Sequence, residues 1–194
     1  YVTEVKELGQ PDLILLPGSK NTTEDMMYLR DSGLESAIQI AVAKGTPLMG
    51  ICGGYQMLGE EIRDPHHTES SYDGVKGMGL LEMATTFSPE KLTSQVEADC
   101  HDWPFLGTKI SATGLKGYEI HMGETSFTGT DDCHPLTITR RAGETCAVTE
   151  GTGRADGLIF GTYIHGIFDH DEFRRQILNA LRQKKGLPPL TSTR

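Results

Sequence analysis

Gly50-Ile51-Cys52-Gly53-Gly54-Tyr55-Gln56-Met57-Leu58-Gly59 sets a cysteine at the corner between an apolar run and a helix. Upstream, Pro47-Leu48-Met49-Gly50-Ile51, entered through Gly45 and Pro47, reads as a short buried strand. Downstream, Tyr55 to Glu61 contains no proline and reads as the opening of a helix. Gly53 and Gly54 remove the Cβ atoms that would obstruct so tight a corner. A thiol there is expected to be exposed, to face the helix N-terminus, and to have its thiolate favoured by the unpaired N–H groups. That is a nucleophile elbow with cysteine in place of serine. The plainer reading is an ordinary buried cysteine; the paired glycines and Gln56 weigh against it.

Working outward, Asp12-Leu13-Ile14-Leu15-Leu16 is a continuous apolar run closed by Pro17-Gly18, the pattern of a parallel strand covered on both faces. Asn21, Thr22 and Thr23 supply N-cap candidates, and Glu24 and Asp25 early acids, before Met26, Met27 and Leu29. Leu34, Ala37, Ile38, Ala41 and Val42 fall at helical spacing, with Gly45 as C-cap. Strand, helix, strand and helix in that order predict an α/β chain: a doubly wound, mostly parallel sheet with helices on both faces.

From Asp64 to Gly117 the signals weaken, and His66, His67, Ser70, Ser71 and Asp73-Gly74 suggest loop. Glu82 to Phe87 and Thr93 to Ala98 read as strands, with Asp99 to Gly107 an excursion between elements. Tyr118-Glu119-Ile120-His121, Leu136 to Thr139 and Cys146 to Thr149 are β-rich and add an antiparallel portion. Gly157 to Ile164 is the last strong strand and delivers His165-Gly166 at its end. Asp171 to Lys184 is an amphipathic helix with Phe173, Ile177, Leu178 and Leu181 on one face.

The 194 residues suit one α/β domain, placed at 1–186 with a tail at 187–194. A formal charge of −9 argues against nucleic acid as a partner. No apolar stretch approaches the roughly 20 residues of a membrane helix, and no export signal is legible. The four cysteines, Cys52, Cys100, Cys133 and Cys146, are therefore expected to stay reduced, in the cytoplasm. The opening on Tyr1 rather than methionine suggests a piece of something longer.

A cysteine nucleophile needs a base, and seven histidines are available: His66, His67, His101, His121, His134, His165 and His170. Catalytic groups of open α/β sheets gather at the carboxyl ends of strands. Only His165 directly follows a strong apolar strand and precedes a glycine, so it is paired with Cys52.

Four strings occur here in order: Leu16-Pro17-Gly18-Ser19-Lys20-Asn21-Thr22, the elbow, Gly117-Tyr118-Glu119-Ile120-His121, and Gly161-Thr162-Tyr163-Ile164-His165-Gly166. Together they resemble the glutamine amidotransferase domain of the cobyric acid synthase family, in the cobalamin-type branch of the class I (triad) amidotransferases. The resemblance spans Asp12 to Leu181 and implies a flavodoxin-like scaffold. It implies glutamine hydrolysis by Cys52 through a thioester, with His165 protonating ammonia and activating water. It further implies oxyanion donors at Gly53 and Gly18, and a substrate contact from Gln56. Many class I members carry a glutamate two residues after the histidine; here that position is Ile167, leaving Glu119 and Asp169 as substitutes. An imidazole without a fixed carboxylate is less well oriented, so low activity is expected of the isolated domain.

No Gly-x-x-x-x-Gly-Lys-Ser/Thr loop is present, so no cofactor is expected on this domain. The resemblance implies that ATP and magnesium are used by an N-terminal synthetase domain of the same polypeptide. That domain would also hold the corrinoid acceptor, adenosylcobyrinic acid a,c-diamide, and the family's first strand would lie upstream of Tyr1. A related reading is a cobyrinic acid a,c-diamide synthase-type enzyme.

Two rivals stand beside this. One is a stand-alone cysteine hydrolase of the same fold, such as a γ-glutamyl hydrolase. The other is a binding domain in which Cys100-His101 and Cys133-His134 hold zinc, although neither pair has the Cys-x-x-Cys spacing usual for structural sites, and no metal site is expected. Tyr118, Glu119 and His121 read equally well as lining the glutamine pocket or the ammonia exit, or as packing.

Overall fold

The computed structural model describes residues 1–130 and 132–191. A short helix α1 (Val5–Leu8) precedes β1 (Ile14–Leu16), α2 (Thr22–Asp31), α3 (Leu34–Ala43), β2 (Leu48–Ile51) and α4 (Gly53–Leu58). Asn21 caps α2, its side chain accepting from the Glu24 N–H at 3.1 Å. Mostly antiparallel strands follow: β3 (Glu61–Arg63), β4 (Gly74–Lys76), β5 (Met83–Phe105), β6 (Thr108–Phe127), β7 (Asp132–Cys133), β8 (Leu136–Arg141), β9 (Glu144–Glu150) and β10 (Thr152–Arg154). Within this stretch β3 and β5 pair in parallel. The chain ends with β11 (Ile159–Thr162), β12 (Ile164–His165), a 3-10 turn (Ile167–Asp169) and α5 (Asp171–Lys184).

Two sheets form. The first runs β1-β2-β11-β10-β7, and its β1, β2 and β11 are parallel, with Ile14 and Ile159 both opposite Leu48. Leu48 and Met49 are wholly buried, as a strand covered on both faces requires. The second, of seven strands, carries the β5–β6 hairpin, β3, β4, β8, β9 and β12. The α/β class holds, and the antiparallel portion is larger than the sequence suggests.

The core lies on both sides of the first sheet. Ile14, Leu16, Met26, Ile38, Leu58 and Ile159 pack on one side. On the other, Trp103 sits 4.5 Å from Phe160 and 4.9 Å from Phe105, ring centre to centre, with α5 contributing Phe173 and Ile177. Leu178, expected on the buried face of α5, instead points out with 40% exposure. Of the tail expected at 187–194, Leu187 and Leu190 bond back to Arg182 and Asn179, and residues 192–194 lie outside the described residues.

Two expectations are corrected. The excursion at Asp99 to Gly107 is mostly strand: β5 is continuous from Met83 to Phe105, and register shifts at Ala98/Cys100 and Cys100/Trp103 break the alternation that would reveal it. Cys100 therefore lies in β5, and Cys133 lies in β7. The last strand is also two strands. Its chain leaves the first sheet after Thr162 and joins the second at Ile164, where His165 stands opposite Tyr118 of β6. This crossing brings the two sheets together at one point.

Candidate active site

Cys52 occupies the corner between β2 and α4 with φ 52° and ψ −111°, a conformation rare for any residue with a side chain. The elbow is tight because β1 lies against it: a Cβ on Gly54 would stand 2.2 Å from the Leu16 carbonyl oxygen. The Cys52 N–H donates to the Thr162 carbonyl at 2.9 Å, fastening the nucleophile to the strand that leads to His165.

The thiol is not the exposed, thiolate-favouring group expected from sequence. Cys52 is 8% exposed. Burial pushes its pKa up, the Gly53 N–H pulls it down, and the charge of Glu69 pushes it up again. A helix of six residues supplies too little field to win against that desolvation. The sulfur is therefore a thiol at rest and donates to the Ile120 carbonyl at 3.2 Å.

His165 meets it from the other sheet. Around the point that a Gly18 Cβ would take, His165 Cε1 lies at 3.1 Å and Cys52 Cβ at 3.7 Å. Gly18 is thus the hollow into which both side chains face, and a methyl group there would fill it. Burial lowers the imidazole pKa, against a raising contact from the Ile120 carbonyl. Its Nε2 is buried and unpartnered among the described residues. A neutral imidazole with one free nitrogen is what a general base requires. Tyr118 stacks flat on it at 4.9 Å and 3°.

The remaining expected residues divide. The Gly53 N–H bonds the Cys52 sulfur, and Gly18 lies beside the Cys52 Cβ. Gln56 does not offer a free amide to substrate. It is buried, with Oε1 accepting from Thr22 Oγ1 at 3.2 Å and Nε2 donating to the Met122 carbonyl and to Tyr163 Oη, each at 3.3 Å. It is a strut beneath the pocket. Neither substitute carboxylate bonds the imidazole among the described residues. Glu119 forms a bidentate pair with Arg141 at 3.0 and 3.2 Å. The Asp169 carboxylate stands 3.4 Å from where a Gly166 Cβ would be. The group that faces His165 is a backbone carbonyl.

His121 stacks on Tyr163 at 3.9 Å and donates its Nδ1–H to the Gly123 carbonyl at 3.3 Å, so it packs behind the pocket. Tyr118 is 45% exposed and, with Ile120, Lys116, Arg140 and Asp169, lines an open cavity of about 1020 Å³. His170 caps α5, Nδ1 accepting from the Phe173 N–H.

Sequence reading missed Glu69. Its carboxylate accepts from the Thr22 N–H at 3.3 Å, and its charge reaches Cys52. Asp64 holds that loop, accepting N–H bonds from Thr68, Glu69 and Ser70 at 2.6, 2.9 and 3.0 Å. A stretch rich in Ser, Thr and Asp signals a loop but not which carboxylate turns inward.

A family model for the CobB/CobQ-like glutamine amidotransferase domain matches residues 1–173. Cobyric acid synthase of Moorella thermoacetica is 46% identical over 97% of this chain and 36% of its own length. That of Klebsiella pneumoniae is 47% identical over 99% of this chain and 37% of its own. The chain thus spans just over a third of the length of these relatives. Among solved structures, PurLQS from Thermotoga maritima superposes with a TM-score of 0.59 at 17% identity, covering 90% of this chain and 80% of that one. A glutamine amidotransferase crystal structure gives 0.58 at 16%, covering 96% and 85%. At such identities the likeness speaks for the fold.

Proposed function

Because this chain belongs to the CobB/CobQ-like glutamine amidotransferase domain family, we propose that it is the ammonia-supplying half of an ATP-dependent cobyric acid synthase. The observation that carries the reading is the shared hollow at Gly18, into which Cys52 and His165 both face.

Glutamine enters with its side-chain carboxamide carbon against the Cys52 sulfur. His165 Nε2 takes the thiol proton as the sulfur attacks, turning the side chain from the Ile120 carbonyl toward the substrate. Negative charge on the carbonyl oxygen meets the N–H groups of Gly53 and Gly18. The imidazolium then protonates the departing nitrogen, and ammonia leaves. A water, deprotonated by the same His165, cleaves the thioester to glutamate and restores the thiol.

Ammonia would be used by the part of the enzyme beyond this chain, amidating carboxylates of adenosylcobyrinic acid a,c-diamide to give cobyric acid in the cytoplasm. ATP and magnesium belong to that part. The sequence here holds no Gly-x-x-x-x-Gly-Lys-Ser/Thr pattern. The names of the relatives support this acceptor.

The test is His165→Ala in the full-length protein. Glutamine-dependent synthesis should be lost, with free ammonium still supporting it. Loss of the ammonium-dependent reaction as well would contradict the assignment of His165 to glutamine hydrolysis.

A further inference from the structure

Glu150 ends β9, and its carboxylate is enclosed at the crossing between the two sheets. Oε2 accepts from Thr162 Oγ1 at 2.6 Å and Oε1 from the Tyr163 N–H at 2.7 Å, with the Gly151 N–H also bonded to it. Thr162 Oγ1 in turn accepts from the Ile164 N–H at 3.0 Å. One carboxylate therefore fixes residues 162, 163 and 164, which span the last pairing to the first sheet, Thr162 with Ile51, and the first to the second, Ile164 with Glu119. The next residue is His165. Thr162 also receives the Cys52 N–H on its carbonyl, so the same anchor reaches the nucleophile.

We propose that Glu150 is a positioning residue that holds His165 and Cys52 in register through Thr162. This rests on the amidotransferase reading of the site. No cation pairs with Glu150 among the described residues, and an enclosed, unpaired carboxylate is costly compared with an apolar side chain of similar size. Its two oxygens each receive a separate donor, Thr162 Oγ1 on one and the Tyr163 N–H on the other, an arrangement that an amide with a single oxygen or a methyl group would meet poorly. Glu119 of β6 is the other charged group whose field reaches it, and burial followed by that charge raises its pKa to about 7. The arrangement supplies, one layer back, the anchoring that class I members obtain from a carboxylate on the imidazole itself.

The experiment uses Glu150→Gln in the full-length protein, with steady-state glutamine hydrolysis, ammonium-dependent synthesis and thermal unfolding measured side by side. A 10- to 100-fold fall in kcat with the glutamine KM within about threefold is expected, since misalignment removes transition-state rather than ground-state contacts. Ammonium-dependent synthesis should stay near wild type. A second pair guards against a folding defect: Thr162→Val, which removes the hydroxyl relay, should resemble Glu150→Gln, whereas Thr162→Ser should restore most of the rate. Unchanged kcat in Glu150→Gln, equal loss of both activities, or Thr162→Val and Thr162→Ser behaving alike would each overturn the proposal. Labelling of wild-type Cys52 by a glutamine-analogue electrophile reports on the amidotransferase reading separately.

Discussion

The sulfur of Cys52 donates across 3.2 Å to the carbonyl of Ile120, the same carbonyl that faces His165. One backbone oxygen thus meets both members of the pair. It holds the thiol proton away from the imidazole before substrate arrives, and it leaves His165 Nε2 free. The resting site is a neutral thiol–imidazole pair, consistent with burial raising the pKa of Cys52 and lowering that of His165.

A pH signature follows from those directions. Burial holds the Cys52 thiol above the ordinary cysteine range, so the thiolate is the minor form at pH 7. Alkylation of Cys52 by iodoacetamide should be slow at pH 7 and still rising beyond pH 9. Glutamine hydrolysis needs neutral His165, and burial lowers its pKa, so the acid limb of kcat/KM should lie on the acid side of the ordinary histidine range. A thiolate titration near pH 6 would contradict this account.

Gly18→Ala places a methyl group 3.1 Å from His165 Cε1 and 3.7 Å from Cys52 Cβ. Gly18 carries ordinary negative-φ backbone, so the fold should survive while the hollow closes. A loss of about a hundredfold in kcat is expected, of the size seen when one oxyanion donor fails. Far-ultraviolet circular dichroism should stay that of the wild type. Full activity in this variant would show that substrate does not enter beside Gly18.

Cys52 holds φ 52° and ψ −111° without being glycine. Such backbone costs on the order of 1–3 kcal/mol, which glycine avoids. Cys52→Gly should therefore unfold in urea at least as late as Cys52→Ala, although glycine ordinarily lowers stability. An alanine variant more stable by about 1 kcal/mol would indicate no strain at the elbow.

Stability should also carry the mark of Glu150. Its folded pKa is raised from 4.5 to about 7, so the native state keeps a proton in that window that the unfolded chain has released. Stability then decreases as pH rises from about 4.5 to about 7 and levels off above. Comparison with Glu150→Gln cancels the other groups. Between pH 5 and pH 8 wild type should lose roughly 2–3 kcal/mol relative to the variant. A constant difference across that range would mean that Glu150 titrates normally.

Much of this site was legible in local strings. The elbow needs glycines where backbone meets backbone, and Gly50-Ile51-Cys52-Gly53-Gly54 announces that directly. The helix at Asp171–Lys184 matches its predicted bounds because its acids, apolar stripe and basic end are contiguous. What stayed hidden depends on partners far along the chain. Glu119 is neutralised by Arg141, 22 residues away on another strand, and that pairing removed it from the imidazole. The Ile120 carbonyl has no side-chain signature at all. Glu150 acts on residues 12 and 13 positions later, through a crossing that the apolar run from Gly157 to Ile164 conceals. Burial of the thiol depends on β6 closing over it from the second sheet.

The most direct measurement is peptide mass mapping after incubation with 6-diazo-5-oxonorleucine, which carries glutamine's amino-acid head on an electrophilic carbon. A single adduct on Cys52 is predicted, absent in Cys52→Ala and strongly slowed in His165→Ala. Labelling at Cys100, Cys133 or Cys146 with Cys52 untouched would contradict the pairing of this nucleophile with this base.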